Sequence, residues 1–425
     1  MVQRAASLGL LGGFWSFPGG QLDAADGDGE GAYARCAARE LCEETGLALS
    51  PADLVAAGHW VSPPWAATAI EAHYFLVEVA AGAVLDVAKS GGELSAGHWV
   101  APATALARWA AGAWLMAPPV VRVLEVFASG DGDPAQRLVA AAADQKKAPR
   151  GWQIADGVWS CPLATPTLPP ATHTNCYVVG GREVVVIDPG AGDPGELSAL
   201  DDALAAVVDG GHRPVAVVLT HHHLDHVGGV AHLADAWKLP VWAHAETAAR
   251  IEVPVARVLE DGDELDLGGR RLSVLHTPGH APGHLCFFDE ATGFAVVGDM
   301  VASTGTILID PSEGDMAAYL DSLATLWALA PAALLPAHGP PIADSRAKLA
   351  AYIDHRIWRE AKILAALDAR SPATSSDLVP FAYDDTPAAI HGLAERSLIA
   401  HLEKLAADGK VEQRGSAWTT NPAKG

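Results

Sequence analysis

Residues 215–226 read VAVVLTHHHLDH, and the fold turns on this stretch. Val215–Thr220 is an apolar, β-branched run of strand length. His221-His222-His223-Leu224-Asp225-His226 follows at once. Side chains two apart at a strand end point to one side, so His221 and His223 are expected to face together and His222 away. The chain then turns towards a helix, which brings Asp225 and His226 alongside. Imidazole and carboxylate are the ligand types that suit Zn²⁺, with Fe or Mn as alternatives.

Outward from this stretch, short apolar runs alternate with helical ones. VVVIDPG (184–190), VWAH (241–244), LSVLHTPG (272–279), HLCFF (284–288), FAVVGD (294–299) and LLPAHG (334–339) read as strands. Residues 231–239 and 317–330 read as covering helices. The pattern predicts a layered α/β domain over residues 151–343. Three of the strand ends carry further ligand types: His280 in HTPGHAPGH, Asp299 in VVGDM and His338 in LLPAHG. His173, His212, His232 and His244 are read as ordinary hydrogen-bonded histidines. Asp188 and Thr220 are read as orienting the ligands, not as ligands themselves.

The order Asp188, H-x-H-x-D-H, TPGH, GD, AHG resembles the metallo-β-lactamase superfamily. The resemblance implies an αββα sandwich. It assigns His221, His223 and His280 to one metal, Asp225, His226 and His338 to a second, and Asp299 to a bridge. Asp225 and His226 are then also the expected catalytic residues, and His284 is not a ligand. Two metals, Zn²⁺ by expectation, would turn water into a nucleophile at neutral pH. Hydrolysis of a thioester, ester, lactone or phosphodiester follows as the reaction class. His223 stands where flavodiiron relatives carry Glu, which disfavours that branch.

Residues 14–47 carry FPGG and then Arg39-Glu40-Leu41-Cys42-Glu43-Glu44-Thr45-Gly46-Leu47. On a helix Glu40, Glu43 and Glu44 share a face, a candidate Mg²⁺ or Mn²⁺ site. The segment resembles the Nudix hydrolases, the FPGG branch with coenzyme A diphosphatases, through about residue 130. Two departures stand out. Gly31, with Glu30 beside it, occupies the place of the first Glu of the box, and the first strand is expected to precede VQRAASLG. Residues 131–150 read as a linker with a short helix inside.

Residues 344–425 read as three helices and a hairpin, a winged helix, with Ile390, Leu393, Leu398, Ile399, Leu402 and Leu405 on one helical face. Gly409 stops the last helix. HRIWRE…HLEKL…GKV resembles the tail of the β-lactamase-like protein 2 group, which includes a single-strand-specific endoribonuclease. Single-stranded RNA is therefore an alternative partner to a small acyl molecule. The charge balance of this tail favours a dimerising or site-flanking role over nucleic-acid binding.

Composition bounds the rest. A length of 425 residues suggests two to three domains, and 50% apolar against 19% charged residues excludes wholesale disorder. A net charge of −23 repels polyanions and argues against non-specific DNA binding. Five Cys without a C-x-x-C pair fit a reducing cytoplasm. No apolar run is long enough to span a membrane, and the start lacks a signal-peptide cleavage signature. The reading is a cytoplasmic metal-dependent hydrolase of a thioester, ester or phosphodiester with a second, Nudix-type diphosphatase activity beside it; the alternatives are a single-strand endoribonuclease and a non-catalytic nucleotide- or RNA-binding protein.

Overall fold

Glu183–Ile187 and Arg213–Val218 are neighbouring parallel strands, with Val186 opposite Val217 and Ile187 opposite Val218. Their side chains from Val184 to Ile187 and from Ala216 to Val218 are fully buried. Strands covered on both faces need β-branched residues throughout, not alternation, and these runs supply them. The register also sets the two strand ends side by side, so Asp188 meets Thr220.

The computed structural model describes residues 1–9, 11–29, 31–62, 70–130, 132–144 and 150–421. Glu30, the PPW at 63–65 and residues 145–149 of the expected linker lie outside them. The chain divides into two units, Met1–Ala164 with Ser198–Gly211, and Thr165–Leu197 with His212–Gly425.

In the second unit, five strands pair in the order Val255–Val258, Val241–Ala243, Arg213–Val218, Glu183–Ile187, His173–Gly180, parallel except for the last pair. A second sheet runs Glu264–Asp266, Arg271–His276, Leu285–Asp289, Phe294–Gly298, Ala333–Pro336, antiparallel until its final, parallel pair. Helices such as Val230–Ala236 and Met316–Leu329 cover them, which makes an αββα arrangement. Ligand-bearing loops leave the ends of Arg213–Val218, Arg271–His276, Phe294–Gly298 and Ala333–Pro336.

The C-terminal module belongs to this same unit. Its first helix, Ser345–Asp368, sends Leu349 and Tyr352 into a core shared with Met300, Ile309, Tyr319 and Leu323. Ser375–Ala382, His391–Ala407 and the hairpin Val411–Arg414/Ala417–Thr420 complete a winged helix around Leu367, Leu378, Leu398, Leu402 and Trp418. Gly409 follows the last helix at φ +73°. Ile390 departs from the expected helical face. It ends a short 3₁₀ turn before the helix and is 49% exposed.

The first unit holds a three-stranded sheet in the order Trp15–Ser16, Val2–Arg4, Leu94–Gly97 and a hairpin Val55–Val61/Glu71–Leu76. The run VQRAASLG, expected to follow a strand, itself begins with one. The helix Gly31–Thr45 carries the three glutamates. The helix Pro134–Asp144, read as part of a linker, packs Leu138, Ala141 and Ala142 against Ala57 and Trp60. The i, i+3, i+4 spacing of those residues gives it an apolar stripe that water would not keep. Among the described residues no helix is long and apolar enough to cross a membrane, and no cysteine is in a disulfide.

Candidate metal centre

Asp188 sits just past its strand at φ +54°, a region that side chains other than Gly rarely adopt. Its neighbours hold it there. Oδ1 accepts the Thr220 backbone N–H at 2.8 Å, and Oδ2 accepts the Thr220 hydroxyl at 2.6 Å. Oδ2 also accepts the Nδ1–H of His226 at 2.8 Å. Backbone strain held in this way marks sites where a geometry is being imposed.

The same bonds decide which nitrogen of each histidine carries a proton. Thr220 has given its only hydroxyl proton to Asp188, so His221 Nδ1, 3.0 Å away, is the donor and Nε2 is left bare. His280 Nδ1 donates to the carbonyl of Leu308 at 2.9 Å, and His338 Nδ1 to that of His173 at 3.0 Å. His223 is turned the other way: its Nε2 donates to Glu313 at 2.7 Å, leaving Nδ1 bare. The bare nitrogens then converge. His223 Nδ1 lies 3.0 Å from His221 Nε2 and 3.0 Å from His280 Nε2. Three lone pairs at that distance repel unless a cation lies among them, and each ring is set by a partner on its far side.

The second group is Asp225, His226 and His338. Asp299 stands between the two groups. Its Oδ2 is 3.5 Å from His280 Nε2, while Oδ1 is 3.6 Å from His226 Nε2 and 3.3 Å from His338 Nε2. Asp225 Oδ2 is 3.6 Å from His338 Nε2. His226 Nε2 and Asp299 Oδ1 are buried and have no hydrogen-bond partner among the described residues. A buried polar atom without a partner is costly, and here both atoms face the same gap. This donor set fits a pair of divalent cations.

The electrostatics follow from burial and from this crowding. Burial alone would raise the Asp299 carboxyl, but His338, His226 and His280 outweigh it and hold it well below the usual carboxylate range. Burial pushes His221 well below an ordinary imidazole and His280 down to about 4. Burial also works against a charged His226, yet Asp188, Asp299 and Asp225 raise it to about 9. Hydrogen bonds from His222 and His223 hold Glu313 far below an ordinary glutamate.

The structure brings His221, His223, His280, Asp225, His226, Asp299 and His338 to one place. His284 is buried beside them but is used otherwise. Its Nε2 accepts the Asp299 N–H at 3.1 Å and its Nδ1 faces Thr277 Oγ1 at 2.9 Å. His222 points away from the three bare nitrogens and meets Glu313 at 2.9 Å. Glu313, which clamps both His222 and His223, escaped the sequence reading because it lies 90 residues from its partner in a polar loop without a motif.

The N-terminal glutamates are arranged differently. Arg39 spans Glu40 at 2.8 Å, Glu43 at 2.9 Å and Asp26 at 2.8 Å. Glu44 is buried and accepts the Gly19 N–H at 2.8 Å. The three carboxylates do not form a metal-holding group among the described residues. Like charges that a cation would offset are here offset by a guanidinium.

The metal groups open on a cavity of about 540 Å³ that is also lined by residues 166–171 and by the C-terminal module. A Beta-lactamase-like protein 2 homolog of Caenorhabditis elegans is 31% identical over 245 residues, covering 56% of this chain and 80% of that protein. The chain belongs to the metallo-beta-lactamase superfamily. The profile of that superfamily matches residues 169–338, that of the Beta-lactamase associated winged helix domain residues 374–418, and that of the NUDIX domain residues 1–119. An Atrochrysone carboxyl ACP thioesterase of Aspergillus chevalieri is 32% identical over 249 residues, covering 56% of this chain and 77% of that protein. Among solved structures, a metallo-beta-lactamase family protein from Thermus thermophilus superposes with a TM-score of 0.53 at 25% identity, covering 63% of this chain and all of that one. The protein is therefore a hydrolase of the metallo-beta-lactamase fold, with a His/Asp cluster able to hold metal.

Proposed function

We propose that this chain hydrolyses a small acyl thioester, using two divalent metals of the zinc type. His221, His223 and His280 would hold one, Asp225, His226 and His338 the other, with Asp299 between them. The observation that carries the reading is the convergence of bare ring nitrogens on a gap that no proton fills. Held by these residues, two such cations would supply a nucleophile from water at neutral pH and would stabilise charge on a carbonyl oxygen.

The residues of the chain do the rest. Asp188, Thr220, Glu313 and the carbonyls of Leu308 and His173 fix each imidazole before substrate arrives, so no reorganisation is needed at the moment of reaction. Asp225 lines the cavity and orients the attacking water. Residues 166–171 and Ile307 give the cavity an apolar side that suits an acyl chain and excludes bulk water. Water adds to the carbonyl carbon, the C–S bond breaks, and a carboxylic acid and a thiol leave.

Two points support a thioester. The cavity has the size of a small-molecule site, and the relatives include a protein named as a thioesterase. The test is a panel of acyl thioesters beside a labelled single-stranded RNA, with metal-loaded protein. Turnover of a thioester that is lost with a chelator supports the reading. Cleavage of the RNA with no thioester turnover would replace it with the ribonuclease alternative.

A further inference from the structure

The helix Ser345–Asp368 brings His355, Arg356 and Arg359 to the wall of the cavity that also holds His223, Asp225, His280, Asp299 and His338. Three arginines of the C-terminal module line this cavity, and two are matched by carboxylates. Arg359 is gripped by both oxygens of Asp385, at 2.8 and 2.9 Å, and Arg396 is paired with Asp310. Arg356 is not. It is only 3% exposed. One of its amino groups donates to the carbonyl of Ile307, and its guanidinium lies 5.3 Å from the centre of the Tyr319 ring. Its Nε has no partner, and no carboxylate pairs with it among the described residues.

The ionisable neighbours of Arg356 make its position harder to explain without a ligand. His355 is beside it in sequence with Nδ1 unpartnered, and Arg359 is one turn on. His401, fully buried on His391–Ala407, has no partner for either ring nitrogen among the described residues. Glu313, Asp310 and Asp385, which also line the cavity, are engaged by His222 and His223, by Arg396 and by Arg359 respectively. A buried guanidinium without a counter-charge carries a large desolvation penalty, which a π face and one carbonyl offset only in part. The group that matches its planar fork is an oxyanion.

We propose that Arg356, with His355 beside it, forms an anion subsite in the cavity that receives a carboxylate or phosphate of the substrate. The proposal rests on the thioesterase reading above and narrows it: the substrate is a charged thioester. The charge has two possible places, a phosphate on the thiol arm or a carboxylate on the acyl chain.

Matched substrates separate them. Butyryl-pantetheine is compared with butyryl-4′-phosphopantetheine for the thiol side and with glutaryl-pantetheine for the acyl side, on metal-loaded protein. At least one charged member is expected to have a kcat/KM about tenfold or more above the neutral one, expressed mainly in KM. Arg356→Met collapses that ratio towards one, and Arg356→Lys keeps part of it. A wild-type protein that prefers neither charged member overturns the proposal, and so does a preference that survives in Arg356→Met. If Arg356→Met does not fold, the wild-type ratio and Arg356→Lys decide. Calorimetric titration with inorganic phosphate gives an answer that does not depend on turnover: binding is expected to weaken about tenfold in Arg356→Met at equal metal content, and equal binding overturns the subsite. A protein that turns over no thioester but binds phosphate through Arg356 loses the thioesterase reading and keeps the anion subsite.

Discussion

Asp188 accepts the Nδ1–H of His226 at 2.8 Å, and both side chains are buried. The pair fixes the ring so that Nε2 faces Asp299 across 3.6 Å. A carboxylate behind a ligand imidazole sets its tautomer and raises its basicity, so the metal chemistry proposed here depends on a residue that need never touch a metal.

Asp188→Asn keeps the shape and removes the charge. Metal affinity is expected to fall about 10- to 100-fold, with a parallel loss of thioester turnover that added metal restores in part. Competition against a chelating dye measures it. An affinity within about twofold of the wild type would mean that Asp188 does not support the ligand.

Gly279 precedes His280 at φ +129°, and a Cβ there would collide with the backbone of Tyr319. Gly279→Ala must move the helix Met316–Leu329 or the loop that carries His280. The expected cost is about 2 kcal/mol or more, with weakened metal binding at the His221, His223 and His280 group. A urea midpoint equal to the wild type would show that the loop relaxes freely.

In the N-terminal unit, burial raises the Glu44 carboxyl to about 7, against an ordinary 4.5. The folded state therefore binds the proton more tightly than the unfolded one. This contribution to stability is fully present below about pH 4.5 and is lost as pH rises towards 7, up to about 3 kcal/mol in all. Glu44→Gln removes the decline. Denaturation midpoints of the two proteins at about pH 5 and about pH 8 test it: the variant is expected to gain on the wild type at the higher pH, and a constant difference between them would count against the buried carboxyl.

Much of this was legible in the chain. Strands buried on both faces announce themselves as unbroken β-branched runs, and ligands at their ends fall at fixed places after them, so the layered fold and the metal-type residues could be named from residues 184–339. The outer supports of the site could not. Leu308 and His173 act through backbone carbonyls, which leave no trace in residue identity, and Glu313 reaches His223 across 90 positions. The helix Pro134–Asp144 looked like linker because small residues form its apolar stripe; Leu138, Ala141 and Ala142 need a partner surface before they read as core. The overall charge balance of the tail also conceals two buried arginines, Arg359, which Asp385 pairs, and Arg356, which no carboxylate pairs among the described residues.

The central claim is that two cations sit among the gathered histidines and carboxylates and are required for hydrolysis. The direct measurement is metal content per chain in the purified protein, followed through removal and re-addition alongside thioester turnover, for the wild type and for Asp299→Asn. The account predicts about two equivalents in the wild type, activity that disappears and returns with them, and a marked loss of bound metal in Asp299→Asn. Full activity in protein stripped of metal, or undiminished metal binding once Asp299 is altered, would contradict it.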